Sequence, residues 1–376
     1  MSLGTVVSNC NNHSNVPQCI AISLLVIALL APPAFSQASS QTIIPIVFPV
    51  AGKCSFTDTF GAPRDNGART HQGIDIMADK MTPVLAVVDG VVDWLNDGTQ
   101  TSTANGLPYY NLLLHGDDGN DYYYIHLNND TPGTDDANGG PRYAYAPGIV
   151  SGSRVIAGQH IAYVGDSGNA ENTAPHLHFE IHEGGYKNPI NPYASLVAAQ
   201  NYKLFKDISY TDWYFPYVNN LVKKGAVSGY GDGTFRPASF VTRAEFIKMV
   251  VLASKVETAT TYGGLFPDVG DKHWAWPYVE AAKRIGLVDG DSSGNFKPDK
   301  LINRAEAAKI VVKALNLSEN LSGVPFTDVH QGFWGYAFIM TAKNSGIISG
   351  YPDGTYRPLN SVSRAEAAKV VFKASN

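Results

Sequence analysis

Residues 174–182 read AlaProHisLeuHisPheGluIleHis. From His176 to His182 the apolar residues alternate with polar ones, the pattern of a strand with one face on a core. On a strand, residues two apart point the same way. Leu177 and Phe179 therefore face inward, and His176 and His178 share the opposite side. Two imidazoles on one sheet face need only a carboxylate and a water to make a catalytic zinc set. A second pair, His71 and Asp75, stands four residues apart in ArgThrHisGlnGlyIleAspIleMetAla (69–78). Each pair alone says little, and the two together point to a metal.

The neighbouring sequence is also strand-like. ProValLeuAlaValValAspGlyValVal (83–92) is rich in β-branched residues, with a turn at Asp89-Gly90. AsnLeuLeuLeuHis (111–115), GlyAspAspGlyAsn and TyrTyrTyrIleHis (122–126) form a hairpin pattern. Nothing between residues 40 and 200 carries a long helical period. The fold expected there is a compact, mainly antiparallel sheet domain.

Composition sets the frame. The chain has 376 residues, 28 Lys+Arg, 33 Asp+Glu, a net charge of -5 and 44% hydrophobic residues. That length suits two or three domains, and that apolar content excludes general disorder. No apolar run approaches the ~18 residues of a comfortable membrane span, so a polytopic membrane protein is excluded. A strongly basic nucleic-acid binder does not fit the charge. Three cysteines, Cys10, Cys19 and Cys54, exclude a disulfide scaffold. Residues 39–200 hold 7 basic and 17 acidic side chains, a net of -10, whereas 201–376 hold 21 and 16, a net of +5. Oppositely charged halves suggest two jobs.

The N-terminus reads as an export signal over 1–38. Ile20 to Ala31 is an apolar core of signal length, followed by Pro32, Pro33 and small residues that suit cleavage after Ser36 or Ala38. Residues 1–19 lack Lys and Arg, so an uncleaved anchor is the competing reading. After cleavage no transmembrane span is expected.

The last 170 or so residues repeat with a period near 60. Phe205-Lys206-Asp207 recurs at Phe266 and Phe326, with Asp268 and Asp328 at the third position. Trp213 recurs as Trp274 and Trp334, and Gly225 as Gly286 and Gly346. AspGlyThrPheArgPro (232–237) recurs as SerGlyAsnPheLysPro and AspGlyThrTyrArgPro. Arg243-Ala244-Glu245 recurs at Arg304 and Arg364. Each repeat reads as helix, loop, helix, the first helix ending at Gly225, Gly286 or Gly346. Thr242…Glu245, Asn303…Glu306 and Ser363…Glu366 are capping boxes, which makes the glutamates structural. The arginines are harder to place, because a cation at a helix N-terminus opposes the macrodipole. A residue set against its local preference three times is a candidate for function.

These repeats resemble S-layer homology (SLH) domains. The resemblance implies an all-α three-repeat module that binds anionic secondary cell-wall polysaccharide. Arg243, Arg304 and Arg364 would contact the acidic sugar, with Asp207, Asp268 and Asp328 lining the same grooves. A guanidinium fork suits a carboxylate. The second repeat departs most from the pattern, with SerGly in its turn and Asn303 in place of threonine.

Along residues 39–200 the run PheProValAlaGlyLysCysSerPheThrAspThrPheGlyAlaProArg (48–64), ThrHisGlnGlyIleAspIleMetAla, TyrTyrTyrIleHisLeu, GlyGlnHisIleAlaTyrValGlyAspSerGly and AlaProHisLeuHisPheGluIleHis resembles the LytM/lysostaphin-like M23 metallopeptidases. The resemblance implies one zinc per chain held by His71, Asp75 and His178, with His126 and His176 as catalytic histidines. It also implies hydrolysis of peptide bonds in peptidoglycan. Residues 128–150, rich in Gly, Asp and Pro, depart from the family as an insertion after His126 that could rim the groove or bind a cation. His115 reads as a structural hydrogen-bonder and His160 as a surface residue. His182 shares the strand face of His178 farther out, and Tyr124 shares a face with His126 and could support the site.

The whole is expected to be a secreted, wall-associated zinc endopeptidase. Its boundaries are 39–200 for the peptidase domain and 203–256, 264–317 and 324–376 for the repeats. Peptidoglycan and the anionic polysaccharide are the expected partners, and nucleic acid is not. The rival is a non-catalytic wall-binding or regulatory protein that keeps the peptidase domain as a scaffold.

Overall fold

The computed structural model describes residues 42–103 and 105–375. The expected export signal lies outside the described residues. Twelve short strands follow one another between Cys54 and Ile190: β1 Cys54–Ser55, β2 Pro63–Arg64, β3 Arg69–Thr70, β4 Ile74–Ala78, β5 Pro83–Leu85, β6 Gly90–Leu95, β7 Leu112–Gly116, β8 Asp121–Ile125, β9 Arg154–Val155, β10 His160–Tyr163, β11 His176–His182 and β12 Pro189–Ile190. Eight of them make one sheet in the order β1-β4-β11-β8-β7-β6-β9, with β12 also paired to β11. All these pairings are antiparallel.

The alternation in β11 sets which side each residue faces. Leu177, Phe179 and Ile181 are fully buried in the core with Ile74, Ile76, Tyr122 and Tyr124. β11 lies between β4 and β8, so His178 stands opposite Asp75 on one side and Ile125 on the other. The 112–125 hairpin forms as expected, pairing Leu112 with Tyr124 and His115 with Asp121.

Helix α1 (Pro141–Ala144) lies within the 128–150 insertion, and α2 (Tyr193–Asn201) follows the sheet. The repeats supply α3 (Phe215–Lys223) and α4 (Arg243–Ala253), α5 (Trp276–Arg284) and α6 (Arg304–Ala314), and α7 (Tyr336–Asn344) and α8 (Arg364–Lys373). The capping boxes of α4, α6 and α8 are all formed, by Thr242, Asn303 and Ser363.

Just before those caps the three repeats interlock. Val241 N–H donates to Val362 C=O, Val362 N–H to Ile302 C=O, and Ile302 N–H to Val241 C=O, each at 3.0 Å. The three bonds close a ring, and the three side chains are buried within it. No repeat satisfies these amides alone, so the module holds together as a trio.

The sheet domain and the repeats also share packing. Val47, Leu85 and Ala157 belong to the same apolar core as Phe215, Val218 and Leu221, and Lys223 pairs with Asp89 at 3.1 Å. No helix among the described residues is long and apolar enough to cross a membrane.

Candidate functional site

His71, in the loop before β4, Asp75 on β4 and His178 on β11 bring three acceptor atoms together. His71 Nε2 lies 2.9 Å from His178 Nδ1 and 3.0 Å from Asp75 Oδ1, and His178 Nδ1 lies 2.9 Å from the same oxygen. The other ring nitrogens fix the tautomers. His71 Nδ1 lies 2.9 Å from the Thr59 carbonyl, which can only accept, so that nitrogen carries the proton. His178 Nε2 lies 2.7 Å from Glu180 Oε1 and likewise carries its proton there. Neutral rings so oriented turn two lone pairs and a carboxylate oxygen toward one point. Protonating both would set two positive N–H groups 2.9 Å apart. The donor set fits a cation, and His71, Asp75 and His178 form a group that could hold a metal ion.

The surrounding carboxylates draw positive charge to this point. Burial opposes a positive His178, but Asp75 and Glu180 outweigh it and raise its pKa. Burial also works against the Asp75 carboxylate, yet hydrogen bonding to His178 and His71 holds its pKa well below the usual range. Arg64 grips the other Asp75 oxygen at 2.6 Å. Glu180 is buried, and its hydrogen bonds with His178 and His182 overcome burial and hold it at about 2. A carboxylate behind a ligating imidazole fixes the ring and makes it a better ligand.

Two further histidines face the same cleft, a space of about 660 Å³. His126 Nδ1 donates to the Ser167 carbonyl and His176 Nδ1 to the Ala174 carbonyl, each at 2.9 Å. Each ring keeps Nε2 for the cleft. His176 Nε2 is 4.0 Å from Asp75 Oδ1, and the two rings are 5.0 Å apart. Burial, then the charge of His176, pushes His126 down to about 4, so it is neutral near pH 7. His126 has φ +62°, the left-handed region that non-glycine residues rarely occupy.

That turn corrects one expectation. β8 ends at Ile125, so the parity that would align Tyr124 with His126 is broken. Tyr124 is fully buried in the core, where its hydroxyl accepts the Val87 N–H at 2.9 Å. His182 is buried on Glu180 rather than lining the cleft. His160 is half-buried and bonded to the Ala162 carbonyl. His115 pairs with Asp121 at 2.7 Å.

The insertion does not rim the cleft either. Among the described residues, none from 128 to 150 lines it. Lys80 clasps the insertion instead, with its ammonium 2.7 Å from Asp130, 2.6 Å from Asp135 and 2.9 Å from Asp166. Asp166 adjoins Ser167, the residue that orients His126.

The repeats form three grooves, each drawn from all three of them. Arg364 reaches the first repeat's loop, donating to the carbonyls of Phe235 and Ser228. Arg304 does the same to Tyr356 and Ser349 of the third repeat, and Arg243 to Phe296 of the second. Tryptophans close the grooves from the remaining repeat, Trp274 in the first, Trp334 in the second and Trp213 in the third. Asp207, Asp268 and Asp328 do not line them. Both oxygens of each accept backbone N–H groups, those of Phe235 and Arg236, Phe296 and Lys297, and Tyr356 and Arg357. Their expected sugar contact is corrected to a clip on the turn.

Comparison with known proteins agrees with this division. The S-layer homology domain model matches residues 204–247, 265–308 and 325–368, and the Peptidase family M23 model matches residues 141–192. The chain joins an M23-like domain to three S-layer homology domains. The M23 match spans His176 and His178, and the S-layer homology matches include all three arginines.

Cell surface glycoprotein 1 of Acetivibrio thermocellus is 36% identical over 160 residues, 39% of this chain and 7% of that protein. An uncharacterised cell wall amidase of Bacillus anthracis is 34% identical over 45% of this chain and 31% of its own length. An S-layer protein of Bacillus licheniformis is 35% identical over 45% of this chain and 19% of its own. The chain thus spans less than a third of each of these relatives. Among solved structures, LytU is 29% identical, with 38% of this chain and 83% of that one covered and a TM-score of 0.28. The lysostaphin catalytic domain of Staphylococcus simulans is 23% identical, with 38% and 92% covered and a TM-score of 0.28. The S-layer homology domains mark a cell-surface, cell-wall-anchored protein.

Three side chains around the candidate site escaped the sequence reading. Glu180 could have been found from its parity with His178 on β11. Arg64 and Lys80 carried no local signal, since their partners are distant in sequence.

Proposed function

We propose that this chain is an exported zinc endopeptidase that cuts peptide bonds of peptidoglycan while its S-layer homology domains hold it on anionic wall polysaccharide. The convergence of His71 Nε2, His178 Nδ1 and Asp75 Oδ1 carries this reading. Two imidazoles and one carboxylate are a catalytic zinc set with a position left open. The M23 match supports the reaction class.

In this account His71, Asp75 and His178 are the ligands. When bound, zinc supplies a Lewis acid that activates water and polarises a carbonyl. Arg64 neutralises the second oxygen of Asp75 and leaves the first to face the imidazoles. Glu180 holds the His178 ring in its ligating tautomer. His126 and His176 share the proton traffic, one taking it from the attacking water and the other giving it to the leaving amine. Their carbonyl partners, Ser167 and Ala174, keep Nε2 of each free for that work. Residues 1–38 direct export, 39–200 form the peptidase domain, and 203–256, 264–317 and 324–376 form the anchor. Anchoring keeps the enzyme near an insoluble substrate and raises its effective concentration.

Elemental analysis tests the metal. The wild-type chain should carry about one zinc. His71→Ala, Asp75→Ala and His178→Ala should lose it while keeping the sheet signature by circular dichroism. Full zinc in all three variants would overturn the ligand assignment.

A further inference from the structure

The three grooves are aligned residue for residue, which exposes a difference between them. Ser228, Tyr230 and Lys248 of the first repeat correspond to Asp289, Asp291 and Lys309 of the second and to Ser349, Tyr351 and Lys369 of the third. The second repeat thus has two carboxylates where the others have a hydroxyl and an aromatic ring.

The exchange changes what each groove offers an anion. In the first, two guanidinium groups lie over the Tyr230 ring, that of Arg236 4.1 Å and that of Arg364 4.9 Å from its centre. In the third, Arg357 and Arg304 lie over the Tyr351 ring in the same way, at 4.1 Å and 5.0 Å. Such stacks fix the arginines in place. Asp291 cannot stack, and it pairs with Lys297 at 2.8 Å instead.

The groove lysines differ in the same way. Lys248 lies 5.9 Å from the centre of the Trp274 ring and Lys369 5.7 Å from that of Trp213. Among the described residues, neither forms an ion pair. Lys309 is 3.6 Å from Asp289, which also draws Lys313 at 3.4 Å and Lys283 at 3.6 Å. In the second groove the lysine is drawn to a carboxylate, whereas the other two grooves each keep an uncommitted ammonium beside an exposed indole. A carboxylate on a sugar ring needs both, a cation for its charge and an aromatic face for its C–H surface.

We infer that the three S-layer homology grooves are unequal: those of Tyr230 and Tyr351 bind the acidic sugar, and that of Asp289 and Asp291 does not. This rests on the proposed polysaccharide anchoring. The anchor is then two-sited, and the second repeat serves by lending Arg304 to one working groove and Trp274 to the other.

The test uses the full chain and acidic oligosaccharides released from wall sacculi. Indole N–H signals of Trp213, Trp274 and Trp334 are assigned by single Trp→Phe variants and followed during titration. Trp274 and Trp213 should move and Trp334 should stay. Lys248→Met and Lys369→Met should each weaken binding at their own groove about tenfold, the loss expected for one charge-assisted contact, whereas Lys309→Met should leave both untouched. The double variant Asp289→Ser/Asp291→Tyr should bring Trp334 into the titration. Equal movement of all three signals in the wild type would overturn the inference and leave polysaccharide anchoring standing. A folded double variant with a silent Trp334 would also overturn it. No movement of any indole would overturn the anchoring itself.

Discussion

His71 Nε2 and His178 Nδ1 face each other at 2.9 Å, while the Thr59 carbonyl and Glu180 take the proton on the other nitrogen of each ring. Two opposed lone pairs repel, so this approach calls for a positive charge shared with Asp75, either a proton on His178 or a metal ion. Glu180 holds one side of that arrangement. Glu180→Ala should therefore weaken zinc binding by about 10–100-fold, with Glu180→Gln intermediate because its amide oxygen can still accept. Competition with a chromophoric chelator measures this. Unchanged affinity in Glu180→Ala would remove Glu180 from the site.

The buried His126 gives a pH signature. Its folded pKa of about 4 lies below the unfolded value near 6.5, so the fold prefers the neutral ring. The stability this contributes is complete above pH 6.5 and is lost as the pH falls toward 4. Between pH 7.5 and 5 the wild type should lose on the order of 2 kcal/mol more than His126→Ala. Urea unfolding of chelator-stripped protein at the two pH values reads the difference. Equal losses would show that His126 is not held neutral by its surroundings.

Lys80 is the sole cation bridging Asp130, Asp135 and Asp166 among the described contacts of that cluster. The side chains of Asp130 and Asp166 are nearly buried, so Lys80→Met strands two carboxylates and should destabilise the chain by about 3–5 kcal/mol. Burial also raises the Asp166 pKa. Acidification protonates stranded carboxylates, so the deficit should shrink toward pH 4. Denaturant unfolding at pH 8 and pH 4.5 tests both points, and a deficit independent of pH would contradict the clasp.

Much of this was legible in the sequence because it is local. The alternation of Leu177, Phe179 and Ile181 with the histidines needs only the pleat of one strand, and the capping boxes span four residues. What was not legible depends on distant partners. Asp207 looked like a groove residue, but its partners are amides 28 and 29 residues away. The parity argument for Tyr124 failed at a single left-handed residue, His126, which no local pattern marks. The arginines opposed their helix dipoles on paper, yet each guanidinium leaves its own helix for a carbonyl of another repeat. Asn303 stands in place of the threonine, and it caps α6 as Thr242 caps α4, as its capping box implies. The difference in that repeat lies at Asp289 and Asp291.

The arginines have a structural consequence of their own. Arg304 is largely buried, donates to Tyr356 and Ser349 and pairs with Glu366 at 2.8 Å. Arg304→Ala should lower the stability of the anchor by about 1–3 kcal/mol, and Arg304→Lys by less. Calorimetry of the full chain measures this. A wild-type melting profile in Arg304→Ala would mean that the guanidinium does not bolt the repeats together. Loss of wall retention in that variant is interpretable only beside its melting curve.

The bonds cut in the wall decide whether this chain is a peptidoglycan endopeptidase. Purified peptidoglycan is incubated with the full chain, and newly exposed amino groups are labelled and identified. New amino termini from stem or cross-bridge peptides are expected with the wild type, none with the ligand-loss variant His178→Ala, and at least about 100-fold fewer with His126→Ala or His176→Ala. Wall that gains no amino termini from zinc-loaded wild type, or gains them equally from His178→Ala, would contradict the endopeptidase reading.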